Sequence, residues 1–339
     1  MNTPEFLRDL AARRGLFEAR ALYLREIRRF FHRRRFLEAD PPLLVPAAGM
    51  EPHLDPFEVR GAATGAAACL PTSPEFYLKK LVASGVERCF ALAPSFRDEP
   101  PSRGHRPEFL MLEWYRAGAG YPKLLRDCSD LLRDLGSLFL PGGVLKRGAI
   151  RCDFTKGLEV LSLSEAFRRF VGEDWLAFAT PADWRGAAAE KGAACTASWS
   201  LNDCFSYLMV AAVEPSLDRL ERPVALVGYP AFQAALARLN PADIRISERF
   251  ELFAAGVELA NAYSELTDAE EQLIRFEGFQ KERRALGKRE HRKDAEFMAA
   301  VGHLPPCAGI ALGADRLLAL LLGEKVARIR HGTREADGS

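Results

Sequence analysis

Between Phe96 and Tyr115 two largely apolar stretches flank a loop of eight residues, and each stretch keeps charged groups at alternate positions. Phe96-Arg-Asp-Glu99 leads into Pro100-Pro-Ser-Arg-Gly-His-Arg-Pro107, and Glu108-Phe-Leu-Met-Leu-Glu-Trp-Tyr115 follows. Side chains alternate faces along a strand, so the pattern predicts two strands joined by a loop. Arg97 and Glu99 then share one face, and Phe109, Met111, Glu113 and Tyr115 share a face on the returning strand. An arginine and several carboxylates on a half-buried sheet are costly unless something charged binds there. The loop adds Arg103, His105 and Arg106, which suits an anionic ligand such as a nucleoside triphosphate. A hairpin with a solvated charged tip accounts for these residues about as well when they are taken alone.

A second segment separates the two readings. Pro305-Pro-Cys-Ala-Gly-Ile-Ala-Leu-Gly-Ala-Asp-Arg-Leu-Leu-Ala-Leu320 reads as a small-residue strand running into a helix, with Arg316 in its first turn. Gly309 and Gly313 leave room for a ligand to approach the backbone closely. The two segments, in this order, resemble motifs 2 and 3 of the class II aminoacyl-tRNA synthetases. Within that superfamily the chain is most similar to the lysyl-tRNA synthetase branch. The stretch from Arg249 to Asp268 resembles the segment of those enzymes that holds lysine, ATP and magnesium, and Thr72-Ser-Pro-Glu-Phe-Tyr77 resembles their substrate-recognition loop. Phe36-Leu-Glu-Ala-Asp-Pro-Pro42 resembles motif 1, the dimer motif, with Pro42 as its usual proline. The likeness runs over roughly residues 20 to 325.

Lysyl-tRNA synthetases carry an N-terminal OB-fold for the anticodon, on the order of 100 residues of β-rich sequence. Here motif 1 follows a largely basic helix, so the expectation is a catalytic core alone. Such cores resemble the elongation factor P–lysine ligase family, which moves an activated lysine onto a protein lysine. Ala311 stands where the synthetases usually have glycine, and the ligases commonly carry alanine. That resemblance implies a reshaped amino-acid pocket and favours (R)-β-lysine as substrate, with α-lysine left open.

Composition agrees. The chain has 339 residues, 48% hydrophobic and 27% charged, enough for a globular core, and its net charge of +1 gives no nucleic-acid footprint. No apolar run approaches the roughly 18 residues of a membrane span, and no signal-peptide core opens the chain. The seven cysteines lack any Cys-x-x-Cys pair and read as buried free thiols in a reducing cytoplasm, and the histidines show no zinc spacing.

Leu24, Ile27 and Phe31 predict an amphipathic helix over Arg20 to Phe36, whose other face carries Arg25, Arg28, Arg29, Arg33 and Arg34. That face is a solvated surface or a dock for an acidic partner. Ser162-Leu-Ser-Glu165 predicts a capped helix through Val171, followed by two or three more helical segments between motifs 2 and 3. The expected organisation is an N-terminal segment over 1–20, a class II catalytic domain over 21–330 and a disordered tail over 331–339. The expected fold class is α+β, an antiparallel β-sheet flanked by helices, dimeric through motif 1.

The resemblance implies a role for each site residue. Lysine and ATP form an aminoacyl-adenylate and pyrophosphate, with Arg97 as the cation on the α-phosphate, a task that suits its planar fork. Arg97, Asp98, Glu99, His105, Arg106, Phe109, Glu258, Leu259, Gly313 and Arg316 would bind ATP. Phe109 would stack on the adenine, with Arg316 over its other face. Magnesium would bridge the phosphates to Glu251 and Glu258, which flank the tight turn at Ala254-Ala-Gly256. Ser73, Glu75, Tyr115, Asn261, Tyr263, Glu265 and Ala311 would bind the amino acid. Glu75 and Glu265 would face its side-chain ammonium, with Tyr115 nearby. Asn261 would take its carboxylate and Tyr263 its methylenes. A buried acid pair repels itself unless a cation sits between, which selects by charge. Asn261, Tyr263 and Glu265 share strand parity and Glu258 does not, and a bulge near Ala260 would reconcile them.

In a second step the ε-amine of a lysine on elongation factor P would attack the adenylate, and no residue stands out as a dedicated base. Arg106 departs from the family's usual asparagine, and Asn261-Ala-Tyr263 from its more common Asn-Gly-Phe. Other readings are a free-standing tRNA-charging enzyme, a non-catalytic regulatory paralogue, and an ammonia ligase of the asparagine-synthetase type. Against the first stand the near-neutral charge and Ala311; against the second, the survival of Arg97, Glu99, Glu258 and Arg316; against the third, the acid pair Glu75 and Glu265.

Overall fold

The computed structural model describes residues 4–100 and 104–330. Arg103 of the motif loop and the tail at 331–339 lie outside the described residues. The chain divides into two compact units, one formed by residues 1–117, 268–305 and 311–339 and the other by residues 118–267 and 306–310.

The first unit opens with α1 (Glu5–Ala12) and α2 (Arg14–Arg33). α2 buries Tyr23, Ile27, Phe30 and Phe31, a stripe at helical spacing, while Leu24 is only half-buried. The helix starts earlier than its periodicity predicts, running through residue 20, and stops at Arg33, short of Phe36. Arg35 ends it by taking a positive φ of 60°, while the Arg34 guanidinium turns back over the Phe30 ring at 3.6 Å. On the basic face, Arg28 pairs with Glu38 at 2.8 Å, and Arg25 and Arg29 both reach Glu26. Local carboxylates therefore offset much of that charge.

Next come β1 (Leu37–Glu38), the β2–β3 hairpin (Glu58–Arg60, Ala67–Cys69), α3 (Glu75–Ala83), β4 (Arg88–Phe96) and β5 (Glu108–Ala117). β1 pairs parallel to β4, and β4 pairs antiparallel to β5. The register sets Cys89 opposite Tyr115, Ala91 opposite Glu113, Ala93 opposite Met111 and Ser95 opposite Phe109. Directly opposed residues share a face, so small side chains on β4 face the large and acidic ones of β5. α3 lies on that face, where the Cys89 thiol meets the Leu78 carbonyl at 3.9 Å. Burial and the Glu113 charge push this thiol up to about 12. The opposite face carries Phe90 and Trp114 against Phe31 of α2, with ring centroids 4.6 and 5.2 Å apart.

The second unit runs through α4 (Tyr121–Phe139), the β6–β7 hairpin (Val144–Arg147, Ile150–Asp153) and β8 (Glu159–Ser162). Ser162 caps α5 (Leu163–Ala166) by accepting from the Glu165 amide at 3.1 Å, and the helix continues as a π turn to Val171, where the sequence predicts its end. α6 (Pro181–Glu190), α7 (Leu201–Leu208) and α8 (Glu214–Leu217) complete the segment expected between the motifs. Phe167, Trp184 and Phe205 form its core. β9 (Val224–Pro230), β10 (Leu239–Asn240), β11 (Asp243–Ala254) and β12 (Val257–Ser264) follow. β11 lies antiparallel to β9, β10 and β12, and β8 runs parallel to its neighbour β9.

The chain then returns to the first unit with α9 (Ala269–Ala285) and α10 (Ala295–Val301). β13 (Cys307–Gly313) and α11 (Ala314–Leu322) form the expected strand-to-helix segment, with Arg316 in the first turn, and α12 (Val326–Ile329) closes the described chain. Both units have mostly antiparallel pairing flanked by helices, the α+β class the sequence leads one to expect. No described helix is long and apolar enough to cross a membrane. All seven cysteines are free thiols, six of them buried; Cys195 is half-exposed, because it sits in the loop before α7 and not in the core proper as expected.

Arg283 of α9 anchors the loop that precedes β2. Its guanidinium donates to the carbonyls of Pro52, Leu54 and Arg289 and to Asp55 at 2.6–3.1 Å, and the residue is buried. Truncation would leave three part-buried carbonyls without this donor and Asp55 with Lys288 alone. We expect Arg283→Ala to cost about 2 kcal/mol, the scale for losing the hydrogen bonds of one buried charged donor. Denaturant unfolding checks this; a loss under about 1 kcal/mol would mean that water replaces the guanidinium.

Candidate active site

In the first unit, Arg97 follows directly on β4, and its amide donates to the Pro107 carbonyl at 2.8 Å, which holds the two ends of the motif loop together. The expectation that Arg97 and Glu99 continue the strand is corrected here. β4 ends at Phe96, and the Glu99 amide turns back onto the Arg97 carbonyl at 2.9 Å, breaking the two-residue alternation. The Arg97 guanidinium lies 5.1 Å from the centroid of Phe109. Its buried Nε has no hydrogen-bond partner among the described residues. A buried donor of that kind is a standing cost unless a ligand oxygen meets it. Asp98 is exposed, Glu99 and Arg106 are half-buried, and the exposed His105 stands 3.7 Å from Glu99, so the loop residues gather at one mouth.

Arg316 joins this corner through its neighbour. Asp315, buried at the start of α11, accepts the Leu110 amide at 2.8 Å and is also ion-paired to Arg20 of α2. Tyr23 of α2 donates to the Ala314 carbonyl at 3.0 Å. These contacts pin the first turn of α11 to the start of β5, beside Phe109. Gly313 precedes the helix with an ordinary φ of −69°, so space and not backbone conformation is what a glycine provides there. Ala311 is half-buried near the end of β13.

The substrate-recognition loop enters α3. Ser73 accepts the Glu75 amide at 3.3 Å, and Thr72 donates to the Ala48 carbonyl at 3.0 Å. Glu75 does not stand as a bare acid: Lys79, one helical turn on and buried, donates to its Oε1 at 2.5 Å. Burial pushes the Glu75 carboxyl above the ordinary carboxylate range, Lys79 pulls it back, and Glu51 raises it further. The expectation of an acid relieved only by a bound ligand is corrected accordingly, since an internal ammonium already shares Glu75. On β5, the Tyr115 hydroxyl donates to Glu113 at 2.7 Å, and both are buried.

In the second unit, Ala255 and Gly256 form the two-residue turn between β11 and β12 with φ of 48° and 71°, the positive pair that such hairpins require. Leu252 pairs with Ala260 but Phe253 pairs with Glu258, so Leu259 is an extra residue in β12. This is the bulge that the parity of Glu258 calls for. Opposed residues share a face. Glu251 opposite Asn261, and Glu258 opposite Phe253, therefore put both glutamates and Asn261 on one face, with Tyr263 opposite Arg249. Glu251 is half-buried, Glu258 is exposed and Leu259 is buried. Glu265, just beyond β12, is buried and donates its amide to the Cys307 carbonyl at 2.9 Å.

Five groups interlock on this face. Arg249 donates to Glu251 Oε1 at 2.5 Å, to Asn261 Oδ1 at 3.2 Å and to the Gln233 carbonyl at 2.5 Å, while Tyr229 donates to Glu251 Oε2 at 2.8 Å. Burial, the largest single influence, opposes the Arg249 charge, but Glu251, Tyr263 and Tyr229 together outweigh it and carry the guanidinium above its ordinary pKa. Burial and the Glu251 charge likewise push the Tyr229 hydroxyl well up, so it stays a donor. Sequence reading missed Arg249, Tyr229 and Lys79. The i,i+4 spacing of Glu75 and Lys79 was a usable signal, whereas Tyr229 lies on another strand and gave none.

Two carboxylates on one face fit a magnesium ion, which takes one or two protein carboxylates and completes its shell with phosphates and water. Among the described residues no three His, Cys, Asp or Glu side chains converge to hold a metal by themselves.

Residues 9–331 match the family of class II tRNA synthetases (D, K and N). Among similar proteins are the elongation factor P–(R)-β-lysine ligases of Yersinia enterocolitica, Klebsiella pneumoniae and Proteus mirabilis. Each is 38% identical over 311 residues, covering 90% of this chain and 90% of the relative.

Proposed function

The chain belongs to the elongation factor P–(R)-β-lysine ligase family of class II synthetase-like proteins, and from that premise we propose that it activates (R)-β-lysine or lysine with ATP and transfers it to a lysine of elongation factor P. The observation that carries this reading is the likeness to ligases of that name over nine-tenths of both chains.

In the first step a carboxylate oxygen of the amino acid attacks the α-phosphorus of ATP, and pyrophosphate leaves. Arg97 meets the charge that builds on the α-phosphoryl oxygens. Phe109 stacks on the adenine, Arg316 covers its other face and reaches the γ-phosphate, and Asp98, Glu99, His105 and Arg106 hold adenine and triphosphate from the loop. Magnesium, held by Glu251 and Glu258, would neutralise phosphate charge. The bulge at Leu259 frees a backbone unit from the ladder, which supports a nucleotide contact there. Glu75 and Glu265 receive the side-chain ammonium, with Ser73, Tyr115 and Ala311 shaping its surroundings. Asn261 receives the carboxylate, and Tyr263 the methylenes. In the second step the ε-amine of the acceptor lysine attacks the adenylate carbonyl, forms an amide, loses a proton and expels AMP.

Residues 21–330 act in this proposal as one catalytic domain of a cytoplasmic homodimer. Leu37, Leu43 and Leu44, exposed around Pro42, support pairing through that segment, and seven free thiols suit a reducing compartment. The test is the mass of elongation factor P after incubation with the protein, ATP and either lysine isomer, with bulk tRNA in parallel. One added lysyl mass on the protein is expected. Charged tRNA beside unmodified elongation factor P would make the chain a minimal synthetase instead.

A further inference from the structure

Arg249 touches two proposed site residues at once, Glu251 and Asn261. It lies on β11 opposite Tyr263, with Glu251 two residues on and Asn261 opposite Glu251, so all four share a face. The residue is buried, and its guanidinium is held from behind by the backbone carbonyl of Gln233 at 2.5 Å. Tyr229 stacks near it at 4.6 Å, so its position is set by fixed atoms and not by solvent.

A guanidinium can only donate. Because Arg249 Nε contacts the Asn261 side chain at 3.2 Å, the amide oxygen must face the arginine and the NH2 group must face away. An asparagine so held offers donors, and only donors, to whatever lies in front of it. A free asparagine could flip and present its oxygen, which repels a carboxylate. The same arginine donates to Glu251 Oε1 while Tyr229 donates to Oε2, which fixes the plane of that carboxylate without occupying all of its lone pairs.

We propose that Arg249 is a positioning residue that locks the Asn261 amide with its NH2 toward the substrate carboxylate, and so makes the site selective for amino acids over their neutral amides. This rests on the functional reading above. Arg249 acts through Asn261 and Glu251 and touches no substrate atom. Its loss would fall on carboxylate recognition and not on recognition of the ammonium.

The test compares lysine and (R)-β-lysine, as substrates in ATP–pyrophosphate exchange, with the corresponding amides, as competitors of that exchange and by direct binding, in the wild type and in Arg249→Met and Arg249→Lys. The expected result is a rise in the constant for the amino acid on the order of 10–100-fold, the scale of a hydrogen bond to a charged group, with the amide changed less than about threefold. Arg249→Lys should keep thermal stability near that of the wild type, because the buried charge stays, yet lose the discrimination, because an ammonium cannot bridge Glu251 and Asn261 as the planar fork does. Restored discrimination in Arg249→Lys would overturn the proposal, as would equal losses for acid and amide.

Asn261→Asp tests the same orientation with Arg249 in place. It should exclude the amino acid and tolerate the amide, since an anionic oxygen replaces the NH2; unchanged preference would overturn the proposal even if neither arginine variant folds. No amino-acid-dependent exchange by the wild type would overturn the functional reading and this inference together. Exchange by the wild type with discrimination intact in the variants would overturn the inference alone.

Discussion

Arg97→Ala should lower lysine-dependent pyrophosphate exchange by a factor on the order of 1,000, about 4 kcal/mol of lost transition-state stabilisation. The charge that Arg97 is proposed to meet exists mainly in the transition state, so the loss should fall on kcat more than on KM. Its geometry supports this split. The backbone is held at the neck of the loop by the Pro107 carbonyl, the guanidinium rests near the Phe109 ring, and the buried Nε lacks a partner among the described residues. Little reorganisation is then needed when the phosphate arrives. Arg97→Lys should recover only part of the rate, because a point charge cannot hold two phosphate oxygens as a planar fork can. A loss confined to the KM for ATP would show that Arg97 binds the ground state alone.

The second large effect should come from Glu75→Gln, with kcat/KM for the amino acid falling about 100-fold, near 3 kcal/mol for a charge-assisted hydrogen bond in a desolvated site. The wild type should also depend on pH. Burial, the largest influence, and the Glu51 charge raise the Glu75 carboxyl, and Lys79 only partly counters them. The ionised carboxylate binds an ammonium and the protonated acid does not, so affinity is full above the raised pKa and is lost as the pH falls through it. Glu75→Gln should remove that part of the profile. The measurement is the pH dependence of kcat/KM for the amino acid in the two proteins; superimposable profiles would assign the titration to another group. Lys79 has a part in this balance, since its bond to Glu75 Oε1 already takes up one of the acceptor sites of that carboxylate.

Both variants probe residues that the sequence alone singled out. Arg97, Glu75, Phe109 and Arg316 stand in long motifs, where polar residues interrupt apolar strands or open helices, and it is the resemblance of those motifs to a known family that singles them out. The hairpin turn at Ala255 and Gly256 was legible from local pattern, because a two-residue turn with positive φ favours small residues. Parity reasoning failed at Arg97 to Glu99 because a strand's end is set by where backbone pairing stops, and there the Glu99 amide bonds within its own chain.

The sequence by itself determined the local elements, because strand alternation, helix spacing and turn composition are written every few residues, and the resemblance of its motifs to a known family supplied the fold class and the residue types of the chemistry. Only the tertiary structure decided the register. That Leu259 is the bulged residue, and so that Glu251, Glu258 and Asn261 share a face, depends on which residue of β11 each one meets. It also decided the company each charge keeps: Asp315 between Arg20 and the Leu110 amide, and Arg249 between Glu251 and Asn261. Apart from Arg249 and Glu251, two residues apart on one strand, these hydrogen bonds join residues 12 to 295 positions apart, and no local pattern encodes a partner at such distances. Pairing across the fold is fixed by the packing of whole elements, and it is pairing that turns a set of suitable residues into an oriented site.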